Sequence, residues 1–219
     1  PDMLSSFGKA CGFGEETGIA SLSEAGGLMP DPAWKLDVYQ ESWSTGDTVT
    51  LSIGQGYLLV TPVQVARMVS AVANGGNLYR PYVVARIEAG EADQPETVTR
   101  ASVEEQLPIS EAHLQVIQEA MLGVTTDPNI GTATHRFRGL DIPIAGKTGT
   151  AEGAREADEP HAWFGGYFPA DDPEIAMVVL AENGGEGSTV AAPLFRQIIE
   201  GYYGMEITPL PTPAPEPTE

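Results

Sequence analysis

Ile142-Pro143-Ile144-Ala145-Gly146-Lys147-Thr148-Gly149-Thr150-Ala151 opens the stretch that decides the fold of this chain. Ala162-Trp163-Phe164-Gly165-Gly166-Tyr167-Phe168 comes next, and then Glu174-Ile175-Ala176-Met177-Val178-Val179-Leu180-Ala181. Each run is short, apolar and bounded by turn formers, which predicts strands over 142–151, 162–168 and 174–181. In the third, Ala176, Val178 and Leu180 alternate against Met177 and Val179. Pro169-Ala170-Asp171-Asp172-Pro173 is a turn cluster that makes the last two strands a hairpin. Links this short join antiparallel neighbours. A helix is predicted over 189–203, with Leu194, Ile198 and Tyr202 on one face, Pro193 in its first turn and Gly204 after it. Strands followed by a helix that packs on them give an α+β fold, an antiparallel sheet packed with helices.

Upstream, a helix is predicted over 61–74. Thr61 caps it, Pro62 fits the first helical position, Gln64 completes a capping box and Gly75-Gly76 stops it. Val65, Met68, Val69 and Val72 form its apolar face. A second helix is predicted over 110–122, capped by Ser110, lined by Leu114, Ile117 and Met121, and ended by Gly123. A short strand over 82–88 is also expected. From Thr208 onward proline alternates with Thr, Ala and Glu, a composition that buries no core. The expectation is a folded part over 1–206, its last helix closing near Gly204, and a Pro-rich, acidic, disordered tail over 207–219.

The chain has 219 residues, with 31 acidic against 11 basic side chains and a formal charge of −20. Such a surface repels phosphate backbones and anionic lipid headgroups, so no nucleic-acid partner is expected. An acidic, solvated face keeps the protein soluble. The one cysteine, Cys11, excludes an internal disulfide and a cysteine-rich metal site. No apolar run approaches bilayer-spanning length. The opening Pro1-Asp2-Met3-Leu4 reads as a start inside a domain, so any anchor is expected upstream.

Four patterns could carry chemistry. Gly146-Lys147-Thr148 matches the end of a phosphate loop, but Asp141 stands where that motif needs glycine. Ser6-Phe7-Gly8-Lys9 has Ser-x-x-Lys spacing, which on a helix would let a lysine take a serine proton. Gly8 and Gly12-Phe13-Gly14 are expected to break that helix. His113, His135 and His161 have no metal-ligand spacing, and no Gly-x-Ser-x-Gly elbow is present. Lys147-Thr148-Gly149-Thr150 lies in a strand. A lysine on an edge strand can simply block edge-to-edge pairing. Equally, a strand edge offers backbone N–H and C=O groups to an extended peptide, and Gly149 lets a ligand backbone come close. Lys147 with the hydroxyls of Thr148 and Thr150 can hold a carboxylate, and a backbone N–H there can face an oxyanion.

Several longer runs occur in one order. They are Phe13-Gly14-Glu15-Glu16-Thr17-Gly18-Ile19, Met29-Pro30-Asp31-Pro32-Ala33-Trp34-Lys35 and Trp43-Ser44-Thr45-Gly46-Asp47-Thr48. Ser52-Ile53-Gly54-Gln55-Gly56 with Thr61-Pro62-Val63-Gln64, and Ala73-Asn74-Gly75-Gly76, follow. Lys147-Thr148-Gly149-Thr150-Ala151-Glu152 and His161-Ala162-Trp163-Phe164-Gly165-Gly166-Tyr167 complete the series. From Met3 to about Gly204 the chain resembles the class B penicillin-binding proteins, the penicillin-binding protein 2-like group in particular.

The resemblance implies the penicillin-binding transpeptidase fold shared with serine β-lactamases, incomplete at its amino end. It implies a serine D,D-transpeptidase that cross-links peptidoglycan stem peptides through an acyl-enzyme and is acylated by β-lactams, with no metal or organic cofactor. It also implies wall-elongation membrane proteins as partners and a membrane-anchored domain on the extracytoplasmic side. By that match Lys147 supplies charge beside the serine and Thr148 and Thr150 bind the carboxylate. Gly149 belongs to the same motif, and the Thr150 N–H is half of the oxyanion hole. Ser52 to Gly56 becomes a supporting loop. The family's Ser-x-x-Lys and Ser-x-Asn motifs fall upstream of the Phe13-Gly14 segment, so Ser6 and Lys9 match a non-catalytic stretch and no Ser-x-Asn is present. The chain alone is therefore expected to be inactive and to expose apolar surface. A serine β-lactamase, a β-lactam sensor or a non-catalytic wall-peptide binder of the same superfamily are the alternatives.

Overall fold

The computed structural model describes residues 1–20, 22–89, 96–153 and 158–211. They form two compact units, Pro1–Val116 and Ile117–Glu219.

The first unit contains α1 (Asp2–Ala10), α2 (Pro32–Tyr39), α3 (Thr45–Ser52) and α4 (Pro62–Ala73). Four short strands follow: β1 (Asn77–Tyr79), β2 (Arg86–Ile87), β3 (Thr97–Val98) and β4 (Val103–Gln106). β1 pairs antiparallel with β4, and β2 with β3. The strand expected over 82–88 thus shrinks to two residues, because the rest of that run finds no partner strand. α4 forms as expected, with a reciprocal Thr61/Gln64 capping box and Pro62 in its first turn. Its Gln64 is almost fully buried and does more than cap. Its amide nitrogen donates to the Glu15 and Gly26 carbonyls at 2.7 and 2.8 Å, and its oxygen accepts from Thr61 N–H at 2.8 Å. One side chain thereby pins the long loop after α1 to the start of α4.

α1 corrects the expectation that Gly8 would break it. Gly8 is buried inside the helix, and a Cβ there would meet the Met29 sulfur at 2.5 Å. The glycine is a packing contact, and the helix stops later, at Cys11 before Gly12 in the left-handed region. Burial pushes the Cys11 thiol up to about 11, so it is an inert core group. α2 and α3 are tied by one ion pair: Lys35 Nζ lies 2.6 Å from Asp47 Oδ2, both side chains nearly buried. Asp47 also accepts from Ser44 in the capping box that starts α3.

α5 (Glu111–Thr126) carries the chain from the first unit into the second. Ser110 caps it by accepting from His113 N–H, but Gly123 does not end it. The helix runs on to Thr126, where the Thr125 and Thr126 hydroxyls donate to the Leu122 carbonyl, and Pro128 follows. α6 (Thr134–Phe137), β5 (Ala145–Ala151), β6 (His161–Phe168), β7 (Ile175–Ala181) and α7 (Ala191–Tyr202) complete the second unit.

The sheet order is β5-β6-β7, antiparallel throughout, with Lys147 opposite Gly165, Thr148 opposite Phe164 and Thr150 opposite Ala162. β5 begins at Ala145, three residues later than expected. α7 covers one face of the sheet, and of the face predicted only Leu194 packs against the core. Ile198 and Tyr202 are about half exposed, and the buried side is Ala191, Ala192, Phe195 and Ile199. The helix turns to seat Phe195 among Phe137, Phe164 and Phe168, with ring centroids 4.7–6.4 Å apart. Glu200, buried on the same helix, accepts from Arg196, from Thr208 N–H and from the Thr208 hydroxyl. The chain is therefore attached to α7 as far as Thr208, which falls within the tail expected over 207–219. Residues 212–219 of the expected tail lie outside the described residues. Exposed apolar side chains do occur, among them Met3 and Phe7 on α1, Val116 on α5 and Ile130 beyond it.

Candidate functional site

The site is built on β5, an edge strand of its sheet. Which backbone groups face outward follows from one close approach. A Cβ on Gly187 would touch the carbonyl oxygens of Gly149 and Trp163 together, and the Gly149 nitrogen at 3.0 Å. These groups therefore face each other across the β5–β6 ladder. Alternation then turns the N–H and C=O of Thr148 and Thr150 toward the outer edge. A peptide laid along that edge would meet two residues' worth of backbone donors and acceptors.

Side chains along β5 alternate faces. Lys147 is exposed, and its Nζ folds back to within 2.8 Å of the Thr148 carbonyl at the edge. Thr148 points to the other face, half buried, and its hydroxyl is 2.9 Å from the hydroxyl of Thr132. Thr150 is exposed, and its hydroxyl accepts from Gly187 N–H at 3.3 Å. Gly149 faces the Trp163 side chain, whose Cβ would lie 3.1 Å from an added Cβ. Its missing side chain thus accommodates Trp163 as well as leaving the strand edge open.

Two neighbours of this site went unread in the sequence. Thr132 sits in the turn between α5 and α6, and Gly187 sits in the turn after β7. Asn183 in that second turn donates its N–H to His161 Nδ1 at 2.9 Å, tying it to the start of β6. A Gly/Asn cluster after a strand signals a turn, but not that the turn lies over Gly149. His135 on α6 is held below the ordinary histidine value by burial, then by Arg136 and Arg138. Ser6 and Lys9 do share α1, as the Ser-x-x-Lys spacing requires. Lys9, however, is paired to Asp31 at 2.6 Å. Among the described residues no group of three His, Cys, Asp or Glu could hold a metal ion, and no helix is long and apolar enough to cross a membrane.

A cation, two hydroxyls and outward N–H groups on one strand edge suit an extended chain ending in a carboxylate. Peptidoglycan D,D-transpeptidase MrdA of Haemophilus influenzae is 32% identical over 219 aligned residues, which cover 94% of this chain and 33% of that protein. The enzyme of the same name from Acinetobacter baumannii is 34% identical, over 87% of this chain and 29% of that protein. The chain thus spans about a third of the length of the curated relatives it matches. Among solved structures, Pseudomonas aeruginosa PBP2 in complex with WCK 5153 superposes with a TM-score of 0.80 at 34% identity. It covers 99% of this chain and 45% of that one. The penicillin binding protein transpeptidase domain model matches residues 1–200. This chain belongs to the penicillin-binding protein transpeptidase domain family.

Proposed function

We propose that the chain is the carboxy-terminal part of the transpeptidase domain of a peptidoglycan D,D-transpeptidase and supplies the substrate-strand half of its site. The observation that carries this reading is the edge strand β5, with Lys147, Thr148 and Thr150 placed along one open border. A stem peptide ending in D-Ala-D-Ala lies antiparallel along that border. Its terminal carboxylate is held by the Thr148 and Thr150 hydroxyls, with the Lys147 ammonium alongside. A serine from residues other than these attacks the penultimate carbonyl. The carbonyl oxygen takes up the negative charge, which the Thr150 N–H stabilises. Collapse expels D-alanine, with its amine protonated, and leaves an acyl-serine. An amine of a second stem peptide then attacks the ester, forms the cross-link and returns the proton to the serine. A β-lactam follows the first half of this course, and its amine stays tethered.

The enzyme works on the outer side of the cytoplasmic membrane, anchored by a segment outside these residues. Wall-elongation membrane proteins are its partners; a Helicobacter pylori PBP2, 32% identical to this chain, has been solved in complex with MreC.

The test is intact-mass analysis after incubation with benzylpenicillin, on this chain and on a version extended upstream. An adduct on the extended protein alone is expected. Lys147→Ala in that protein should slow acylation about 100-fold. An adduct on this chain mapped to Ser6 would overturn the reading, as would a folded extended protein that is never acylated.

A further inference from the structure

We infer that Thr132 is a positioning residue for the reaction proposed above, on which this inference rests: it turns the Thr148 hydroxyl proton toward the substrate carboxylate. The observation is the hydroxyl pair, Thr132 Oγ1 to Thr148 Oγ1 at 2.9 Å. Each hydroxyl has one proton and two lone pairs. If Thr148 donates to Thr132, it presents only lone pairs to an approaching anion and repels it. If Thr132 donates to Thr148, the Thr148 proton is left for the carboxylate. The result is a short chain, Thr132 O–H to Thr148 O–H to carboxylate, in which each bond strengthens the next.

Thr132 can do this only if its loop holds still, and the loop is built to do so. Asp127 caps it by accepting from Asn129 N–H at 2.8 Å and Ile130 N–H at 3.2 Å. Its carbonyl accepts from the Thr134 hydroxyl at 2.6 Å and from Gly131 N–H at 3.0 Å. Gly131 is packed so closely that a Cβ would come within 2.6 Å of the Gly123 carbonyl. On the other side Ala133 is fully buried in the aromatic core, with its N–H on the Val124 carbonyl at 3.0 Å. The Thr125 hydroxyl, buried, bonds the Ile144 carbonyl at 2.6 Å just before β5 begins. Thr132 itself is exposed, flanked by these fixed points. An exposed hydroxyl adds little to stability, because water can replace its partner. A rigid mount for an exposed hydroxyl beside the carboxylate-binding threonine is an arrangement for orientation.

The experiment uses the upstream-extended protein as wild type, Thr132→Val and Thr132→Ser. Acylation is followed with benzylpenicillin and with benzylpenicillin methyl ester, which has no free carboxylate. Thr132→Val should lower the second-order rate for the acid about tenfold, through weaker reversible binding rather than a slower bond-forming step. Thr132→Ser should restore it, and the ester should react equally with all three. Equal loss on acid and ester, or no loss on either, overturns the positioning role while leaving the transpeptidase reading intact. Wild-type protein that is folded yet never acylated removes both.

Discussion

In the second unit four rings, Phe137, Phe164, Phe168 and Phe195, close a core behind three strands. The first unit buries apolar side chains too, Val69, Leu78 and Leu114 among them, but adds buried polar ones: Gln64 spans two loop carbonyls, Lys35 meets Asp47, and Ser5 donates to the Pro30 carbonyl. An apolar core is non-directional, so its strength spreads over many atoms and hardly depends on pH. A polar clasp acts through a few atoms in fixed directions, so it fails at single points and follows protonation. The first unit holds long loops that lack periodic structure, and clasps do that. The second unit holds a three-stranded sheet in place, and a core does that.

The largest test of this contrast is Phe195→Ala, expected to cost the second unit about 4 kcal/mol through lost burial and the cavity left behind. Amide hydrogen exchange should show β5, β6 and β7 losing protection while α4 keeps its own. Equal loss in α4 would mean the units do not differ in this way. Next comes Gln64→Leu, which preserves bulk but removes the buried partner of two loop carbonyls, those of Glu15 and Gly26. It should destabilise the first unit by about 2 kcal/mol, read as faster exchange in the 15–27 loop. A neutral result would show that packing, not hydrogen bonding, holds that loop.

The smallest effect is on pH. Hydrogen bonding from Lys35, then from Ser44, holds the Asp47 carboxyl down at about 2, against an ordinary 3.8. Glu24 is lowered chiefly by Thr17, and Asp31 chiefly by Lys9. In the second unit burial raises Glu200, but Thr208 and Arg196 outweigh it. A depressed carboxyl contributes stability above its unfolded value and loses it as pH falls through the folded one. The first unit should therefore weaken between about pH 4 and pH 2 more steeply than the second, and Asp47→Asn should flatten that slope. Parallel acid profiles for exchange in α3 and β6 would remove the contrast.

The same contrast governs what could be read in advance. The strands of the second unit were legible because each is a short apolar run between turn formers. The register of α7 was not, since Leu194-Ile198-Tyr202 and Ala191-Phe195-Ile199 are both apolar rows. Burial went mainly to the second row, with Leu194 of the first packed beside it. In the first unit α4 was legible from its capping box, while α2 and α3, eight residues each, carry almost no apolar stripe. Their caps, Asp31 and Ser44, are ordinary signals that become decisive only once the Lys35–Asp47 pair brings the two helices together. Within the site, Lys147 to Thr150 stood out as a run. Thr132 and Gly187 did not, because both reach β5 across the fold rather than along the chain.

Gly187, pressed on the backbone of Gly149 and Trp163, has a consequence for how this site can vary. Where main chain rests on main chain, no side-chain substitution can adjust the fit by degrees. Any replacement inserts at least a methyl group where two carbonyl oxygens already stand. Drift and engineering are thereby pushed to the rim, to Lys147, Thr150 and Thr132, where side chains face solvent. The floor of the site is closed to gradual change, and its borders are where new ligand preferences can be written.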